Sequence, residues 1–304
     1  MEKKLTAMFS LIIILAFMGY IIYDATRGSG NAVTDTLKRD STVNDMWFID
    51  RSFNVTDGKL SSVAVADDGI IYLGGDSFVM ALTEDLAGIW NTETDSVITS
   101  LAVSGDTLFA STTESILLFS TTGELIGEWG PYEGNSIITS VSANAGHLAY
   151  ADAGNKRVFL LDRKGEVIQM MGQSDANFII PSPYFDVDLD NNLLYAANTG
   201  QRRVETWSLD GRKLSEFGEA GTAPGAFCGC CNPVHFAIIP QGFVTAEKGI
   251  NRIQILDREG NFIEFVSSHN NFSQSVPLDL ASADGETIFA ANSDDNNLYL
   301  FKRK

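Results

Sequence analysis

The sequence predicts an all-β protein, a six-bladed β-propeller of four-stranded antiparallel blades, preceded by one transmembrane helix. Three observations carry that prediction. Six segments share one pattern and start at Ser61, Thr99, Thr139, Pro183, Asn232 and Val276, spaced 38 to 49 residues apart. Each unit offers four short stretches rich in β-branched and aromatic residues, separated by Asp, Asn and Gly turns. The last unit stops after its third stretch, at LYLFKRK, while one spare apolar run, Met46 to Val55, precedes the first unit. A propeller closes its ring, and that early run is the natural fourth strand of the last blade, which removes an open sheet edge.

The elements follow in chain order. MEKK is followed by 19 uncharged residues, Leu5 to Tyr23, the length of a bilayer-spanning helix. This apolar core is long for a cleaved signal peptide and no A-x-A-like site follows it, so residues 1–23 read as an uncleaved signal-anchor. Lys3 and Lys4 favour an inside N-terminus, although Arg27, Lys38 and Arg39 weaken the asymmetry. The remainder is then expected outside the cytoplasm, periplasmic or extracellular. Residues 24–43 are polar and rich in Gly, Ser and Thr, and read as a flexible linker. Residues 44–304 are the propeller.

Within each unit the grammar is constant. A short apolar strand leads through an Asp/Asn/Gly turn to a second strand such as LLYAAN or TIFAAN. The third strand runs through RVFLLD, RVETWS or RIQILD, and a Gly turn leads to a fourth, such as GEVIQMMG or GRKLSEFG. YADAGNKRV (150–158) with LDRKG after it, NTGQRRVETWSLDGRKLSEFG and EKGINRIQILDREGNF together resemble NHL repeats. The resemblance is clear over Thr139 to Val266 and weaker in the units at Ser61, Thr99 and Val276. It implies a propeller, commonly six-bladed, that serves most members as an interaction surface. A minority, such as peptidyl-hydroxyglycine amidating lyases, hold a catalytic metal in the central channel with several histidines. This chain has only His147, His235 and His269, scattered among units, which departs from that pattern.

Composition narrows the partners. With 21 basic and 39 acidic residues the net charge is −18, which disfavours nucleic acid and anionic surfaces. The Asp152/Arg157, Asn198/Arg203 and Glu247/Arg252 pairs share one spacing and read as structural glue of the repeat. Asp186-Val-Asp188-Leu-Asp190 begins like a Ca²⁺ loop, but Asn191 stands where the Gly belongs and Ala197 where the last carboxylate belongs. No nucleophile elbow or phosphate loop is present.

FCGCCNPVHF (227–236) holds all three cysteines and His235, and lies in the longest interval of the repeat. Cys228, Cys230, Cys231 and His235 are therefore candidates for a zinc or copper site, or for a disulfide, most simply Cys228 with Cys231. Haem attachment needs C-x-x-C-H, and Asn232 stands where the His belongs. His235 is also placed near the start of an inner strand, with Asp186 or Phe185, and Asp279, at comparable positions of their own units, a shift of one residue turning the side chain to the other face. Asp186, His235 and Asp279 are the ligand-face candidates. The functional expectation is a membrane-tethered binding or scaffold propeller for a protein or small ligand. The alternative is a metal-dependent or redox-active propeller working at the same loop or channel mouth.

Overall fold

The computed structural model describes residues 14–16, 18, 46–173, 177–190, 192–229, 231–268, 272 and 276–304. No helix among the described residues is long and apolar enough to cross a membrane. The expected span over residues 5–23 and the linker over 24–43 lie outside the described residues, apart from Ile14, Leu15, Ala16 and Met18. Asp45–Lys304 forms one compact unit.

That unit is a six-bladed propeller. Six four-stranded antiparallel sheets follow one another along the chain. Their inner strands are Leu60–Val65, Ser100–Ser104, Ile138–Ala143, Val187–Asp190, His235–Ile239 and Leu278–Ala281, which define blades 1 to 6. In blades 1 to 5 the strands pair in sequence order. In blade 6 the outer strand is Trp47–Asn54, paired antiparallel with Asn297–Arg303 from Trp47↔Arg303 to Asn54↔Asn297. The spare apolar run thus closes the ring as the sequence predicts.

The core explains why period-2 patterning gives apolar residues on both faces here. Each middle strand is covered by a neighbouring blade on either side. In Arg157–Asp162 of blade 3, Val158 and Leu160 pack with Leu194 and Ala196 of blade 4. Phe159 and Leu161, pointing the other way, pack with Phe109 and Ile116 of blade 2. Six such clusters fill the six interfaces between blades. A fully buried Leu or Phe in them contributes about 1.5–3 kcal/mol relative to exposure. The outer strands Gly88–Glu93 and Leu125–Trp129 have no neighbour beyond them and are exposed or half-buried.

The hairpin after the second strand repeats as well. Its entry position carries Gly75, Thr112, Asp152, Asn198, Glu247 or Asn292, one per blade. Gly75 is required where it stands, because an added Cβ would lie 2.3 Å from the Lys59 carbonyl oxygen and from the Phe78 ring.

Candidate functional site

The inner strands bring one residue per blade to the same level of the central channel: Ser62, Ser100, Ser140, Asp186, His235 and Asp279. The second-strand partners fix this register, with Ser62↔Gly74, Ser100↔Ser111, Ser140↔Ala151, His235↔Ala246 and Asp279↔Ala291. Inner strands of neighbouring blades do not share a ladder, so their backbone N–H groups need other acceptors. The ring supplies them. Val141 N–H donates to Ser100 Oγ (3.2 Å), and Val187 N–H donates to Ser140 Oγ (3.2 Å). Phe236 N–H donates to Asp186 Oδ2 (2.7 Å), and Val63 N–H donates to Asp279 Oδ2 (2.8 Å). One step along the channel, Ser142 donates to Asp188 Oδ1 (2.6 Å), whose Oδ2 accepts from Ile238 N–H (3.0 Å).

The three ionisable members of the ring meet. His235 Nδ1 lies 3.6 Å from Asp186 Oδ2 and 3.4 Å from Asp279 Oδ1. Burial pushes the imidazolium toward losing its proton. The polar contact with Asp186 and the charges of Asp279 and Asp186 outweigh that, and the pKa is raised to about 9. His235 is therefore cationic at neutral pH, and its buried Nδ1 has no partner within ordinary hydrogen-bond distance. Burial raises Asp188 to about 6, against the pull of its Ser142 and Ile238 donors. Burial also raises Asp279, partly offset by His235.

A cavity of about 170 Å³ opens beneath this ring, with Ser100, Ser140, Ser142, Asp186, Asp188 and Asp279 on its wall. Chemically the arrangement can tie three blades together, hold a donor-rich or cationic group against its carboxylates, or give up a proton from His235.

The Asp186-x-Asp188-x-Asp190 run is not one cation loop. Asp186 and Asp188 face the channel, whereas Asp190 pairs with Arg258 at 2.8 Å. The channel-side oxygens already accept hydroxyl and backbone donors, and a Ca²⁺ ion needing six to eight oxygens would leave those donors unpaired. Asn191 lies outside the described residues.

The cysteine segment corrects one expectation. No disulfide joins Cys228 to Cys231. Among the described residues, no group of three or more His, Cys, Asp or Glu side chains is arranged to hold a metal ion. The reason lies in what pins the segment. Asn232 Nδ2 donates to the carbonyls of Cys228 (2.6 Å) and Lys248 (2.9 Å), and Lys248 N–H donates to Asn232 Oδ1 (3.0 Å). Cys228 N–H donates to Glu247 Oε2 at 2.8 Å. Val234 then enters the blade 5–blade 6 core, and His235 turns into the channel. Burial raises the Cys228 thiol pKa, and Glu247 raises it further. Cys230 and His269 lie outside the described residues.

The repeated acid/Arg pairs are structural, though not uniformly. Asp152 accepts from Gly154 and Asn155 of its own hairpin and from Ile137 before the inner strand. Arg157 leaves it and approaches Glu133 at 4.0 Å. Glu247 and Arg252 do pair, at 2.6 Å and both buried, and Arg252 also donates to the carbonyls of Thr222, Ala223 and Ala226. The pair thus staples the 219–229 loop to blade 5. Sequence reading missed the three serines of the ring, although TSLA, TSVS and SSVA align them, and it missed Arg202.

No family model matches the chain, the NHL pattern included, and no curated protein matches it. Among solved structures, one described as "Streptogramin B lyase structure" is similar, with a TM-score of 0.63 over 85% of this chain and 98% of that one. Sequence identity is 12%. The likeness is one of fold.

Proposed function

We propose that the chain is a membrane-tethered, extracytoplasmic binding propeller of NHL type that receives a protein or small ligand at the channel mouth. One observation carries this reading. Every blade supplies a polar residue to the channel ring, yet the repeat breaks on one side only, where hydroxyls give way to Asp186, His235 and Asp279. Structural glue repeats with the blades, and a departure confined to neighbouring blades points to a job other than closure. The stapled loop over residues 219–229 belongs to the same arc and the same end of the inner strands.

The test uses the full-length chain expressed in a bacterial membrane. Fractionation and protease access to intact cells check the anchor and the side on which the propeller lies. A photo-crosslinking residue at exposed Ala223 should give a discrete adduct. The same residue at Leu125 on the outer rim should not. Equal labelling from both positions, or none from Ala223, would sink the binding-face reading.

A second reading is an enzyme in which His235 donates a proton. It is favoured by Nδ1 facing the carboxylates of Asp186 and Asp279 at 3.6 and 3.4 Å, and the fold neighbour described as a lyase gives it a precedent. Its rate should fall as pH rises through about 9, the value to which His235 is raised. A pH profile without that limb, or one unchanged by His235→Gln, removes it.

A further inference from the structure

The second cavity of the molecule lies away from the channel ring, beside the 219–229 loop. It measures about 590 Å³ and is walled by Arg202, Ala220, Gly221, Thr222, Phe227, Cys228 and Gly229. It is a depression open to solvent rather than an enclosed cavity. Its walls are preorganised. Phe227 N–H donates to the Glu219 carbonyl (2.8 Å), Gly221 N–H to the Phe227 carbonyl (3.1 Å) and Ala226 N–H to the Ala223 carbonyl (3.1 Å). The buried Glu247–Arg252 pair holds the loop from behind.

Arg202 is the one charged group on this wall. Arg51, Arg157, Arg203, Arg212, Arg252, Arg258 and Arg303 each have a carboxylate partner, and Arg163 lies over the Phe109 ring. Arg202 has neither. Its guanidinium makes one contact, Nη1 to the Gly229 carbonyl at 3.3 Å, and its buried Nε has no acceptor. Its backbone is left-handed, at φ 56° and ψ 50°. The matching left-handed position carries Lys156 in blade 3 and Asn251 and Asn296 in blades 5 and 6. In a protein of net charge −18, a guanidinium without a carboxylate partner beside an otherwise uncharged wall is open to an anion. A guanidinium matches a carboxylate with two parallel N–H···O bonds.

We propose that this cavity binds a small organic carboxylate, with the carboxylate on Arg202 and an apolar tail against Phe227 and Ala220. Thr222 and the Cys228 thiol complete an uncharged lining for the tail. The site is separate from the channel ring and stands whether or not the ring is the primary binding face.

The experiment titrates the full-length protein with hexanoate and with hexanamide, followed by saturation-transfer NMR. Hexanoate should bind saturably and hexanamide about tenfold or more weakly, the difference expected for a charge-assisted bond pair. Arg202→Gln should weaken hexanoate by about tenfold or more, and Arg202→Lys by less. His235→Gln in the channel should leave it unchanged. Ala220→Trp, at an exposed position of the loop, should block binding by filling the cavity, and so tests the site without touching Arg202. Non-saturable hexanoate, equal binding of the amide, binding retained in Arg202→Gln or Ala220→Trp, or binding lost in His235→Gln would each overturn the proposal.

Discussion

The channel ring has two arcs built to one plan, and they differ in what the shared position carries. In blades 1 to 3 it is Ser62, Ser100 and Ser140; in blades 4 to 6 it is Asp186, His235 and Asp279. Ser100 and Ser140 accept the N–H of the next inner strand, and so do Asp186 and Asp279. A hydroxyl is therefore sufficient for stitching blades together. The carboxylates keep that role and add charge, and His235 gives up the role to sit between them. The comparison separates closure, which Ser100, Ser140, Asp186 and Asp279 all serve, from ionic chemistry, which is confined to one arc.

The largest expected effect breaks the ionic arc. Asp186→Ala removes the acceptor of Phe236 N–H and Val187 N–H, the partner of the Ser140 hydroxyl, and one of the two carboxylates beside His235. Removing one partner of a buried ionic group costs about 3–5 kcal/mol. Urea denaturation should show that loss for Asp186→Ala. A loss near 1 kcal/mol would mean that the carboxylate does no more than a serine.

The second effect is a pH dependence that only the ionic arc can have. His235 is raised from 6.5 to about 9 by Asp186 and Asp279 against the opposing pull of burial. A raised pKa means that the folded state holds the proton more tightly than the unfolded one. Its contribution is full below about 6.5 and is lost as pH rises through about 9, a loss on the order of 3 kcal/mol. Asp188, raised by burial from 3.8 to about 6, gives a lower step of the same sign between those two values. His235→Gln should abolish the upper step and leave the lower. Urea midpoints measured from pH 5 to pH 10 decide it, and an upper step that survives the substitution would assign it elsewhere.

A smaller effect probes the hydroxyl arc. Ser100→Ala leaves Val141 N–H without its 3.2 Å acceptor, which costs about 1–3 kcal/mol for a neutral buried donor. The loss should be independent of pH from 5 to 10. A pH-dependent loss would show that the two arcs are coupled.

Much of this was legible in the chain, for a physical reason. Both faces of a middle strand such as RVFLLD are buried by neighbouring blades, so apolar residues and polar turns alternate at one period throughout. The spare run at Met46–Val55 had only one edge to fill. Asp186, His235 and Asp279 could be placed near the starts of their inner strands, but Phe185 competed with Asp186, because a shift of one residue turns a side chain from channel to core. The cysteine segment was not legible. Closeness in sequence suggested that Cys228 and His235 share a site. That inference fails because Asn232 and Glu247, one inside the segment and one nineteen residues beyond Cys228, anchor its first half to the blade 5 hairpin while His235 begins a strand. Arg202 was hidden for a similar reason: its cavity is closed by a loop some twenty residues later, which no local pattern announces.

The smallest effect belongs to Cys228, and its smallness is the point. The thiol is buried, with the Lys248 carbonyl oxygen at 3.7 Å and Asn232 Nδ2 at 3.5 Å among its polar neighbours. Burial and Glu247 hold its pKa above the ordinary thiol value, so it has little thiolate to offer a metal or an oxidant at neutral pH. Cys228→Ala should lower stability by about 1 kcal/mol through lost packing. The thermal midpoints of the native chain and the variant should differ by the same small amount with and without reductant, and with and without a chelator. A gap that widens only in oxidising buffer would tie Cys228 to a bridge, and one that closes only with chelator would tie it to a metal. Either result would move the ionic chemistry of blades 4 to 6 out of the channel ring and into the loop above it.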